Sequence, residues 1–174
     1  MSEAPLFGTD GVRGLANVDL TADLAFGLAR AAGDGRSGTA VVGRDTRRSG
    51  QMLSAAVQAG FNAAGFDTVD AGVIPVSGVS QLIGAVEADL GVMVSASHNP
   101  AADNGIKFFG PDGAKLDDSR EGAIEARYRH GAPWNRVEGA AVGLGIRVDD
   151  AVDRYVEHLA AQADHRIDGV EVVL

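Results

Sequence analysis

The residues of this chain that could do chemistry lie in four short stretches. The most suggestive is "VSASHNP" (94–100), where two serines, a histidine and an asparagine follow the apolar run Leu90–Val94. A bare serine hydroxyl is a weak nucleophile that needs a base, a neighbouring positive charge or a leaving group already attached. His98 follows Ser97 directly, and adjacent side chains in an extended turn are expected to diverge. The pattern therefore does not predict a hydrolytic Ser–His dyad, and there is no Gly-x-Ser-x-Gly elbow. On shape alone, a capping turn built from Ser97 and Asn99 around Pro100 is marginally the better reading.

The other three stretches supply tight turns and positive charge. In "FGTDGVRG" (7–14), glycines 8, 11 and 14 let the backbone turn sharply and approach a ligand. Arg13 offers a planar fork suited to phosphate. "GRDTRRSG" (43–50) places Arg44, Arg47 and Arg48 where a strand gives way to a helix, the edge at which α/β sheets ordinarily hold anions. At least one of these arginines is expected to pair with Asp45. "DNGIKFF" (103–109) turns at Gly105; with Ile106 and Phe108 facing a core, Lys107 faces the other way. Taken singly, each stretch has a bland account as a glycine turn or a solvated cation.

Alternating elements must position these stretches. "TAVVGRD" (39–45), "FDTVDAG" (66–72) and "DLGVMVSAS" (89–97) are short, Val-rich or β-branched and end in turn residues, as buried strands do. Helices are predicted from Thr21, as N-cap, to about Ala32, over 49–65 with Ser49 as N-cap and Gly65 as C-terminal glycine, and over 76–88 behind Pro75. This succession predicts an α/β fold, a mixed, largely parallel sheet sandwiched between helices. The Gly-, Pro- and Ala-rich segment 130–145 reads as a surface connection. A further helix over 149–163 carries Val152, Tyr155, Val156 and Leu159 on one stripe, and "GVEVVL" (169–174) has strand composition.

Composition narrows the classes. A chain of 174 residues, 45% hydrophobic and 22% charged, can bury a core without staples. Without cysteine, neither a disulfide framework nor a thiolate metal site is possible. The net charge of −9 argues against nucleic acid as a partner, while leaving room for a small phosphorylated ligand at a local basic cluster. "MSEAPLFGTDG" has neither the basic nor the apolar region of a signal peptide, and no apolar run reaches spanning length. A cytoplasmic protein with no membrane partner is expected.

In order and spacing, the four stretches together resemble the alpha-D-phosphohexomutase family: its Gly-Thr-Asp-Gly-hydrophobic-Arg-Gly start, its Gly-Arg-Asp-x-Arg-x-Ser-Gly turn, its Ser-Ala-Ser-His-Asn-Pro phosphoserine loop and the Asp-Asn-Gly-Ile-Lys that follows. The wording "VSASHNPAADNGIKFFGPDG" and "KLDD" is most similar to the bacterial phosphoglucosamine mutase branch, although "VIPVSGVS" (73–80) stands where the family usually carries a Thr-Pro pair. The resemblance implies that Ser97 is the phosphorylated residue, exchanging its phosphoryl group with a hexosamine phosphate through a bisphosphate, and that its phosphate gives one ligand to Mg²⁺. It implies Lys107 as general acid/base, Arg13 and His98 beside the phosphoryl group, and Arg44 and Asn99 among the phosphate-binding residues. The family's three-aspartate metal loop, sugar-selecting loop and C-terminal phosphate-gripping loop have no match. Residues 1–147 are therefore expected to be the phosphoserine domain, with 148–174 a linker helix and the first strand of a truncated second domain. A phosphoglucomutase or phosphomannomutase, or a non-catalytic phosphosugar-binding module, are the alternatives. The sequence does not set an oligomeric state, a homodimer included.

Overall fold

A computed structural model of the chain describes residues 4–162 together with Gly169 and Glu171. Its elements in chain order are β1 (Val12–Leu15), α1 (Ala22–Gly33), β2 (Gly38–Arg44), α2 (Gly50–Ala64), β3 (Phe66–Val73), α3 (Val76–Ala85), β4 (Leu90–Val94), β5 (Asp103–Phe109), α4 (Asp118–His130), β6 (Gly145–Arg147) and α5 (Ala151–Gln162). The strands form one sheet in the order β1-β5-β4-β2-β3-β6. The pairs β4–β2, β2–β3 and β3–β6 are parallel, and β1–β5 and β5–β4 are antiparallel. The expected mixed, largely parallel sheet is what forms.

Side-chain alternation along the strands divides the core in two. Val42, Val92, Val94, Ile106 and Phe108 face one way and pack with Leu28, Leu53 and Phe61 of α1 and α2. Val41, Met93 and Phe109 face the other way and pack with Val79, Leu82 and Ile83 of α3. Every residue of β4 is buried, as a strand covered on both faces must be. Phe61 and Phe66 are fully enclosed, their ring centroids 5.6 Å apart. Emptying one such site costs about 3–5 kcal/mol.

The helix ends follow the sequence with one change. Thr21 Oγ1 accepts from the Leu24 amide at 3.2 Å, capping α1 as expected. Gly65 closes α2 in the left-handed conformation at φ 94°. Ser49 occupies the N-cap position of α2 but makes no side-chain capping bond. Its Oγ instead accepts from Nδ2 of the fully buried Asn104 at 2.9 Å, tying the start of the helix to the start of β5.

Two elements lie outside the sequence-based expectations. Helix α4 forms over residues whose apolar positions make no stripe; among its residues only Glu121 and Ile124 are buried. Asp117 Oδ1 caps it, accepting from the Arg120 amide at 2.8 Å, and Tyr128 packs against Gly27 of α1. The 130–145 segment is indeed a surface connection for most of its length, but Gly145 begins β6, a three-residue edge strand whose residues are all exposed. Helix α5 falls where a helix was expected and docks on α3 through Ala151 and a 2.6 Å hydroxyl contact between Ser77 and Tyr155. Most of the expected strand 169–174 lies outside the described residues.

Candidate active site

The backbone ladder itself brings the four stretches together. Arg44, the last residue of β2, pairs with Val94, the last of β4. Met93 pairs across to Lys107 on β5, and Gly105 pairs across to Arg13 on β1. The turn after β2, the loop after β4, the lysine of β5 and the arginine of β1 therefore meet at one edge of the sheet. Gly11 makes this approach possible. Its φ is +82°, and a Cβ there would stand 2.3 Å from the Ile106 carbonyl oxygen.

Ser97 is exposed and has φ +55°, in the left-handed region that side chains other than those of Gly, Asn and Asp seldom adopt. Its neighbours hold it there. The Ser97 amide donates to Ser95 Oγ at 3.0 Å, and that hydroxyl donates to Asp45 Oδ2 at 2.7 Å. Ser95 is buried and its own amide donates to the Gly105 carbonyl at 2.9 Å, so it supports the loop from within. His98 Nδ1 lies 3.4 Å from Ser97 Oγ. The two side chains do not diverge as expected, yet the contact is long for a hydrogen bond and both residues are exposed.

The cations divide into two groups. Lys107 Nζ sits 2.7 Å from Asp10 Oδ2, and the same oxygen takes the Arg13 guanidinium. Arg13 Nη1 also donates to Asn99 Oδ1 at 3.2 Å, and Asn99 Nδ2 to Asp103 Oδ2 at 3.2 Å. The hydrogen bond from Lys107, then the charges of Lys107 and Arg13, hold the Asp10 carboxyl below its ordinary range against the opposing effect of burial. Lys107 is thus not the solvated strand lysine of the bland account. Arg47, in contrast, is turned away from solvent, only 11% exposed, with Nε on Asp45 Oδ2 at 3.0 Å. It is the arginine that pairs with Asp45.

Ser97 and Lys107 line one open cleft of about 450 Å³ together with Thr46, Pro75, Met93 and Val152. Arg13 and Asp10 line an adjoining groove of about 240 Å³. His98 and Asn99 belong to the Ser97 loop, and Asn99 reaches the second group through Arg13. Arg44 is partly buried at the end of β2, its side chain lying against Gly50, and Arg48 is exposed. Neither lines the cleft. Sequence reasoning named no role for Asp10 and expected one of the three arginines to pair with Asp45 without saying which; the aspartate inside "GTDG" and the Asp-x-Arg spacing of the turn were the available signals. Among the described residues no group of three or more His, Asp or Glu side chains is disposed to hold a metal ion.

Residues 4–133 match the model of the phosphoglucomutase/phosphomannomutase alpha/beta/alpha domain I. The chain belongs to the phosphoglucomutase/phosphomannomutase family. It is 52% identical over 181 aligned residues to the phosphoglucosamine mutase of Streptomyces coelicolor, covering 97% of this chain and 40% of the relative. It is 51% identical to that of Mycolicibacterium vanbaalenii, covering 98% and 40%. Among solved structures, a putative phosphomannomutase of Thermus thermophilus superposes with TM-score 0.78 at 30% identity, covering 94% of this chain and 37% of that one. A phosphoglucomutase/phosphomannomutase family protein of Burkholderia thailandensis gives 0.77 at 29%, covering 90% and 35%. The chain spans about 40% of the length of these curated relatives. Among the described residues no helix is long and apolar enough to cross a membrane.

Proposed function

We propose that this chain is the phosphoserine-bearing domain of a phosphoglucosamine mutase, with Ser97 as the residue that carries the phosphoryl group between positions of a hexosamine phosphate. The observation that carries the reading is the presentation of Ser97: exposed, in a left-handed conformation fixed by Ser95 and Asp45, in one cleft with Lys107. In transfer to the sugar, a sugar hydroxyl bonds to phosphorus as the Ser97 Oγ–P bond breaks. The hydroxyl proton ends on the serine oxygen, and Lys107 is the group positioned to carry it. Lys107 and Arg13 supply the positive charge that phosphoryl transfer demands more than it demands a strong nucleophile. His98 stands beside the serine oxygen, while Arg44 lies behind the cleft at the end of β2. Asn99 steadies Arg13.

Asp10 has a part in this reading that the sequence did not suggest. Its carboxylate balances Lys107 and Arg13 while no phosphate is present, and an incoming phosphoryl group competes for the same two cations. Mg²⁺ belongs to the proposal because a phosphate on Ser97 offers the hard oxygens that this ion prefers. When bound, it would neutralise phosphoryl charge. The described residues provide no carboxylate cluster to complete its coordination, so its other ligands would come from outside them. A cytoplasmic setting, absence of nucleic-acid partners and a domain limit near residue 147 complete the proposal.

The test is chemical. The chain is incubated with glucose 1,6-bisphosphate and digested, and the phosphopeptides are mapped. Phosphate on Ser97, absent from Ser97→Ala, is expected. Phosphate on Ser95 instead overturns the assignment. Sugar-phosphate binding with no label on any serine, in the full-length protein as well as in this chain, favours a non-catalytic binding module.

A further inference from the structure

The geometry points to Arg47 as the positioning residue that holds the Ser97 loop in its reactive shape; this inference rests on the reading of Ser97 just given. Its guanidinium is not directed at a ligand. Nη2 donates to the carbonyl oxygens of Ser97 and Asn99, each at 2.8 Å. Nη1 donates to those of Pro100 at 2.5 Å and Asp103 at 3.0 Å. Three carbonyls of the loop and that of the first residue of β5 therefore converge on a single cation from another element, fifty residues earlier in the chain for Ser97.

The same turn also fixes the other end of the Ser97 residue. Asp45 receives Arg47 Nε at 3.0 Å and the Arg47 amide at 3.0 Å, and through Ser95 Oγ it governs the Ser97 amide. Both backbone polar groups of Ser97, its N–H and its C=O, are thereby held by the Asp45–Arg47 pair. A residue in a costly backbone region persists only where its surroundings over-determine it, and here two independent hydrogen-bond routes do so. A guanidinium suits this task because its planar fork meets several acceptors at fixed angles, whereas an ammonium is a point charge with three donors. Nε, Nη1 and Nη2 of Arg47 are all taken by protein acceptors, so it acts through the loop.

The experiment compares the wild-type chain with Arg47→Lys and Arg47→Ala. The first readout is the rate of Ser97 labelling by glucose 1,6-bisphosphate. Arg47→Ala is expected to label about 100-fold more slowly, the scale of a misplacement of about an ångström, with half-saturation by the bisphosphate unchanged. Arg47→Lys is expected to recover little of that loss, and added methylguanidinium to restore at least about tenfold in Arg47→Ala without moving its melting temperature. The second readout is amide hydrogen exchange at Ser97, expected to be at least about tenfold faster in both variants than in the wild type. Wild-type labelling and exchange rates in Arg47→Lys would overturn the inference, since charge alone would then suffice. If the wild-type chain takes no label, Ser97 exchange alone decides the role of Arg47: unchanged exchange overturns it, faster exchange upholds it.

Discussion

The two edges of the sheet are built on opposite plans. At the edge where β2 and β4 end, polar groups are dense and matched: Asp45, Arg47, Ser95, Asn99 and Asp103 form one hydrogen-bonded network around a residue with positive φ. At the β6–α5 side, apolar groups stand in the open: Val142, Leu144, Ile146, Val156 and Leu159 are each about half exposed or more. Shape at the first edge depends on directional bonds with little tolerance for loss. At the second it depends on a short backbone ladder and a few buried anchors such as Ala151. The difference teaches that stability and specificity of form are carried by different residues here, and that substitutions on the two sides should differ in cost severalfold.

The comparison breaks first, if anywhere, at Gly11. Gly11→Ala combines a positive φ with a Cβ forced onto the Ile106 carbonyl, and an expected loss of about 2–4 kcal/mol should appear as a lowered urea midpoint. Next comes Asp45→Ala, which leaves the buried Ser95 hydroxyl and Arg47 Nε without their acceptor. Its expected cost is about 1–3 kcal/mol by the same titration. On the other side, Arg147→Ala removes exposed pairs with Asp70 at 2.8 Å and Asp149 at 3.3 Å. These pairs hold the Arg147 guanidinium above its ordinary value, chiefly through the Asp70 hydrogen bond, yet screened surface pairs contribute only about 0.2–1 kcal/mol. The double change Val156→Gln and Leu159→Gln should alter stability by less than about 0.5 kcal/mol, and a larger loss would show that the open face is packed in solution.

The smallest effect sharpens the contrast through pH. Asp10 has a folded-state value below its unfolded one because Lys107 and Arg13 favour its charge. That pairing is fully present above the ordinary carboxylate range, near about pH 4, and is lost as pH falls through the depressed folded value. Asp10 is 42% exposed, so the contribution is small and salt-sensitive. Melting curves from about pH 5 downward should fall less steeply for Asp10→Asn than for the wild type; equal slopes would mean that the pairing contributes nothing.

Much of the fold was legible because its signals are local. The Val-rich runs become β2 and β4, Thr21 caps α1, and Gly65 ends α2 through a conformation that glycine adopts freely. Helix α4 was not legible because it buries only Glu121 and Ile124 and so writes no periodic stripe. Strand β6 was missed because pairing with Thr68, Val69 and Asp70 of β3, not burial, makes it a strand. At the site, residue types could be picked out and partnerships could not. Nothing near Arg47 in sequence announces that its acceptors lie at 97–103, or that Asp10 rests on a lysine of β5.

Ser97 and Lys107 belong to one antiparallel hairpin, β4 and β5 joined by residues 95–102, with Met93 and Lys107 locked in register. The proposed phosphoryl carrier and proton carrier are therefore joined through one short loop and one strand ladder. In the proposed reaction, either phosphate of the sugar would thus be presented to the same serine and the same lysine of this hairpin.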